Sequence, residues 1–205
     1  MEETKIYLVF TDTGTYLSKL INFFSKQSLN HVSLAFDIDL KDLYSFGRKQ
    51  PRNPFSGGFV CEDITGHLLV NASCAVYSYT VSKEDYEKML SYIEDFKQEQ
   101  HKYRYNFLGL LGVLFNIDLK RERAFFCSQF VATVLRSTNS IQLSKPSCFI
   151  TPSDLRNELD LQLIYQGILA NYPYQQNADD MMFHLQEDKP SLIFYISKLK
   201  QFVIR

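Results

Sequence analysis

Two segments of this chain hold residues suited to nucleophilic chemistry: AFFCSQFVATVL around Cys127, and HVSLAFD opening at His31. Phe130, Val131, Val134 and Leu135 share a helical face with Cys127, so a helix is expected from about Phe126, with the thiol in its first turn. The free backbone N–H groups and the helix dipole favour an anion there. The nucleophilic form of cysteine is the thiolate, and a helix N-terminus is one of the few settings that lowers a thiol pKa from ~8.5 toward neutrality. The backbone N–H groups of Cys127 and Ser128 offer an oxyanion site in the same turn. Arg121 and Arg123 stand just upstream and would add positive charge if directed toward the sulfur. Taken alone, Cys127 reads better as a buried member of its apolar face.

A thiol nucleophile needs a base within hydrogen-bond reach. The chain has four histidines: His31, His67, His101 and His184. His101 lies in the polar run KQEQHKYR and His184 in a late polar segment. His67 follows the turn residues Thr65 and Gly66 and is a second candidate. His31 opens an alternating strand in which Val32, Leu34 and Phe36 take one face and His31, Ser33 and Ala35 the other. The face of small residues leaves room beside the imidazole for a thiol. Taken alone, His31 too reads better as a structural residue.

The elements that must position this pair follow from periodicity and turn chemistry. KIYLVF (5–10) reads as a strand, and Leu17, Leu20, Ile21 and Phe24 predict a helix over about 15–26. The strand at His31 and a returning strand DLYSFGR (42–48) form a hairpin. KQPRNPFSGG (49–58) is a loop, and FVCEDI (59–64) and HLLVNASCAVYSYTV (67–81) are further strands. Ser82 and Asp85 have capping-box spacing before a helix whose stripe of Tyr86, Met89, Leu90, Ile93 and Phe96 reads as core. A short apolar element (106–115), the basic turn LKRER (119–123) and the Cys127 helix come next. Thr151-Pro152-Ser153-Asp154 marks another helix start. Strand-like LQLIYQG (161–167) and LIFYISKL (192–199) close the chain. The expected class is α+β, a mainly antiparallel sheet packed by helices, in a single domain over residues 1–205.

Composition bounds the partners. The chain has 205 residues, 22 basic against 23 acidic, for a net charge of −1, which offers no electrostatic footprint for nucleic acid or an anionic membrane. Its 17 Phe and 13 Tyr, with no Trp, read first as an aromatic core and second as the lining of a groove for an apolar substrate. The longest apolar stretch, FLGLLGVLF (107–115), falls far short of the ~20 residues that span a bilayer, so stable membrane insertion is not expected. The start has no basic, long-apolar signal pattern, and a cytoplasmic protein is expected. Cys61, Cys74, Cys127 and Cys148 are widely spaced, with no C-x-x-C pair, and read as free thiols. No ligand spacing points to a metal, and no cofactor is called for.

HVSLAF, then much later FFCSQFVATVL, then TPSDL, resembles the permuted papain-like amidases of the YaeF/YiiX group, relatives of the NlpC-type cell-wall peptidases and of lecithin–retinol acyltransferase. In that group the histidine strand precedes a C-S-x-x-V helix, the reverse of the ordinary papain-like order. The resemblance spans about residues 5–155. It implies a circularly permuted NlpC-type papain-like fold, with Cys127 as nucleophile and His31 as general base. It further implies hydrolysis or acyl transfer at amide, ester or thioester bonds through an acyl-enzyme, with a small-molecule, peptide or lipid-like acyl substrate. The family places a polar orienting residue on the strand after the histidine strand. Here that strand is DLYSFGR, and Ser45 is the nearest polar candidate, with Ser45 or Phe46 expected opposite His31. Asp37, a backbone carbonyl or a water are the alternatives. Because serine is a poor mimic of a carboxylate or amide, a second reading stands beside the first: a binding module that keeps the fold with an incomplete triad.

Overall fold

The structure, a computed structural model, describes residues 2–12, 29–48, 57–115, 117 and 121–173. The expected helix at 15–26, the strand at 192–199, His184 and most of the 49–58 loop lie outside the described residues. The chain divides into two compact units, Met1–Asn171 and Tyr172–Arg205, and all described residues but two belong to the first.

The first unit is built on one six-stranded antiparallel sheet. Its strands are β1 (Glu3–Asp12), β2 (His31–Ala35), β3 (Leu43–Arg48), β4 (Gly57–Glu62), β5 (Ser73–Ser82) and β8 (Gln162–Ile168), in the order β4-β3-β2-β1-β5-β8. A two-residue parallel pair joins β6 (Arg104–Tyr105) to β7 (Ala124–Phe125). The helices are α1 (Lys83–Gln98), α2 (Phe107–Phe115), α3 (Cys127–Leu135) and α4 (Pro152–Glu158). The α+β class and the mainly antiparallel sheet packed by helices are as expected.

Alternation along the strands decides the layering. Ile6, Leu8 and Phe10 of β1, Val32 and Leu34 of β2, Tyr44 and Phe46 of β3 and Phe59 of β4 form one buried cluster with Met89, Ile93 and Phe96 of α1 and with Phe130, Val131, Val134 and Leu135 of α3. Of the stripe read as core in α1, Met89, Ile93 and Phe96 are core, Tyr86 packs against it partly buried, and Leu90 is outside the cluster. Much of the aromatic excess sits in the same cluster: Phe46 and Phe96 each lie 5.2 Å from Phe130, centroid to centroid, and Phe46 lies 5.1 Å from Phe125. Offset and edge-on rings of this kind add to area burial.

Capping follows the sequence closely. The Ser82 hydroxyl accepts from the Asp85 amide and caps α1. Thr151 and Asp154 form a reciprocal capping box at the start of α4, with Pro152 in its first turn. Asn106, not foreseen as a cap, accepts from the Gly109 amide and starts α2. One expected strand, at 67–81, starts six residues late, and β5 spans 10 residues. Residues 67–72 are turns, because Asp63 draws in the amide and hydroxyl of Thr65 and the chain then folds over Gly66, whose carbonyl accepts from Leu69 and Val70. Side-chain bonding of this type competes with a ladder, and β5 begins only at Ser73.

Candidate active site

The site forms where β2, β3 and β4 meet the start of α3. Strand β2 pairs with β1 along its whole length, from Tyr7↔Ala35 to Thr11↔His31. Its ladder with β3 covers only Leu34↔Tyr44 and Ala35↔Leu43. The two strands part beyond that point. Continuing the register across the gap sets Gly47, not Ser45 or Phe46, across from His31, which corrects the expected hairpin alignment.

The helix that opens at Cys127 packs against both β2 and β3. The chain leading to it is held by β7 and by the Asn106 amide, which donates to the Phe125 carbonyl at 2.8 Å. Phe126 is the N-cap of α3 and has no capping side chain, so the first-turn N–H groups remain for other partners. The Ser128 hydroxyl donates to the Ile150 carbonyl at 2.7 Å and ties the helix start to the segment before α4. Cys127 is 5% exposed, and its sulfur lies 4.0 Å from the Asn30 carbonyl. The His31 side chain and the backbone N–H groups of Val32 and Ser128 all act on the ionisation of this thiol.

His31 meets a carboxylate that sequence reasoning did not single out. Its Nε2 lies 2.8 Å from Glu62 Oε1. The second Glu62 oxygen accepts from the Ser33 hydroxyl. Both partners are largely removed from water, with side-chain exposures of 17% for His31 and 14% for Glu62. Because Nε2 faces Glu62, the other ring nitrogen, Nδ1, is left for the thiol. Burial alone would discourage a charged imidazole. The Glu62 carboxylate and the Cys127 sulfur outweigh it and hold the His31 pKa well above the usual histidine value. Burial likewise pushes a thiol up, but the hydrogen bond and charge of His31, with the two backbone N–H groups, bring Cys127 below its ordinary value. The result is a pair disposed toward thiolate and imidazolium.

Ser45, the expected orienting residue, also reaches the ring: its hydroxyl lies 3.4 Å from His31 Nε2, but Glu62 is nearer, and the hydroxyl also donates to the Val32 carbonyl at 3.1 Å. In the parted ladder, β3 gives Val32 no backbone partner, and the Ser45 hydroxyl serves its carbonyl instead. Asp37 is not an orienting residue: it accepts from the Lys41 and Asp42 amides in the hairpin turn. His67 and His101 are exposed. Arg123 reaches toward Glu99, 3.9 Å away.

The sequence carries only a partial trace of Glu62, its alternation along β4; the pairing with β3 comes from the structure. Glu62 alternates with Val60 and Gly58 along β4, and across β3 that face continues through Ser45 and Gly47. Gly47 is what lets the carboxylate through. A Cβ there would stand 3.3 Å from Glu62 Oε1 and 3.9 Å from His31 Cε1. The small-residue face of β2 thus makes room for a carboxylate, while the thiol approaches from the start of α3.

Among the described residues no group of three or more His, Cys, Asp or Glu is placed to hold a metal ion. No helix among them is long and apolar enough to cross a membrane.

No protein-family model, curated protein or solved structure matches this chain.

Proposed function

We propose that this protein is a cysteine-dependent hydrolase or acyltransferase acting on amide, ester or thioester bonds, with the permuted NlpC-type papain-like arrangement that its motif order resembles. The observation that carries the reading is the chain of contacts from Cys127 through His31 to Glu62. A thiol at a helix start, an imidazole bonded to it and a carboxylate on the far ring nitrogen supply a nucleophile, a proton carrier and an orienting group.

In this reading the Cys127 thiolate attacks the substrate carbonyl carbon and forms the C–S bond. The carbonyl oxygen gains the negative charge, and first-turn N–H groups of α3 stabilise it. His31, carrying the proton, gives it to the leaving amine, alcohol or thiol as the scissile bond breaks. Water or another acceptor then attacks the acyl-enzyme with His31 accepting its proton, and the thiolate is released. Glu62 keeps the imidazole in its working orientation and supports its charged form. Against the binding-module alternative, which rests on an incomplete triad, Glu62 supports the enzyme reading by supplying a third member.

The test is the rate of Cys127 alkylation by iodoacetamide against pH. An activated thiol reacts well below the ordinary thiol pKa of ~8.5 and loses that behaviour in His31→Ala. A profile with an ordinary midpoint, unchanged by that substitution, overturns the reading. A panel of p-nitrophenyl acyl esters then separates short from long acyl preference.

A further inference from the structure

Resting on the reading of Cys127, His31 and Glu62 as one unit, we infer that Ser33 is a positioning residue of the site, holding one oxygen of Glu62 so that the other is kept on the His31 ring. Ser33 is buried and stands two residues after His31 on β2, so both side chains leave the same face of one strand. Its hydroxyl donates to Glu62 Oε2, while Glu62 Oε1 faces His31 Nε2. The same hydroxyl oxygen lies 3.2 Å from that Nε2, so the three groups form a closed triangle.

A carboxylate on a long side chain can rotate and offer either oxygen. Glu62 reaches the imidazole from β4, with β3 between the two strands. Fixing the second oxygen removes that rotation. It also satisfies a largely buried acceptor that would otherwise lack a partner. The anchor rides on the strand that carries the base, so clamp and base move together. Ser45, the serine the hairpin pattern points to, is by contrast engaged with the Val32 carbonyl.

The experiment compares iodoacetamide alkylation of Cys127 against pH in the intact chain and in Ser33→Ala, Ser33→Thr, Glu62→Gln and His31→Ala, each with a thermal melt. Ser33→Ala should move the alkylation midpoint upward, in the same direction as Glu62→Gln but by less. Ser33→Thr, which restores the hydroxyl, should return it toward the wild-type position. A merely structural serine would lower the melting temperature and leave the midpoint where it was. A Ser33→Ala profile that superimposes on wild type while Glu62→Gln is shifted overturns the inference and leaves the site reading standing. A profile unmoved by His31→Ala overturns the site reading, and this inference with it.

Discussion

Glu62 and His31 stand 31 residues apart in the chain, and their side chains meet at 2.8 Å across an intervening strand. That contact turns a thiol–imidazole pair into a three-member unit, and it sets what the variants of this protein should do.

Glu62→Gln keeps the shape and removes the charge. Without it, only Cys127 is left to oppose burial at His31, and the imidazole pKa falls from its raised value. Cys127 then loses the imidazolium that lowers it, and its pKa rises. The expected outcome is an upward shift of the alkylation midpoint and a loss of acyl-ester turnover smaller than the ~10²–10⁴-fold expected of His31→Ala. Stopped-flow alkylation and steady-state kinetics check both.

The pH dependence of turnover follows from the two directions. Cys127 is lowered, so the thiolate is lost as pH falls through its folded pKa. His31 is raised, so the imidazolium is lost as pH rises through its own. Activity should therefore be bell-shaped, between the lowered thiol value and the raised histidine value. A single rising limb centred near the ordinary thiol value of ~8.5 would contradict it.

Three of the four thiols should separate by labelling. Cys74 is buried and its pKa is pushed up to about 11, and the exposed Cys61 is also raised, by burial and by Asp42. At about two units below the ordinary thiol pKa of ~8.5, a small alkylating reagent should modify Cys127 before either. Peptide mapping by mass spectrometry reads the order directly. Faster modification of exposed Cys61 at that pH would show that Cys127 is not activated.

Gly47→Ala should harm the site more than the fold. The new methyl stands 3.3 Å from Glu62 Oε1, so the carboxylate must give by a few tenths of an ångström. Turnover should fall while the melting temperature changes little. Gly47→Val should cost more activity again. Equal turnover in wild type and Gly47→Val would show that this passage is not needed.

Thr151→Ala supplies the opposite case. It breaks the capping box of α4 and should cost about 1 kcal/mol in denaturant unfolding without moving the Cys127 alkylation midpoint. Phe130→Ala, at the centre of the aromatic cluster, should cost about 3–5 kcal/mol.

Local signals carried much of this architecture. The capping pairs Ser82/Asp85 and Thr151/Asp154, the stripe through Met89, Ile93 and Phe96, and the helix start at Cys127 all depend on residues within one or two turns. The approach of Cys127 to His31 was legible only through motif order, because 96 positions separate the two. Glu62 was missed for a different reason. Its reach depends on a missing side chain at Gly47 and on a ladder that stops after two rungs, and neither leaves a periodic trace. Ser45 drew attention because it is polar and on the next strand, but its hydroxyl serves the Val32 carbonyl. Residues 67–72 looked extended because they are apolar, while Asp63, four residues upstream, dictated a turn.

The parted ladder between β2 and β3 has a consequence for how the protein reports its own chemistry. The Val32 amide, which a neighbouring strand would ordinarily occupy, instead helps to lower the Cys127 thiol pKa. In the proposed reaction, acylation or alkylation makes that sulfur a poorer acceptor, so a covalent change at the thiol should be felt at this amide, one residue from the imidazole.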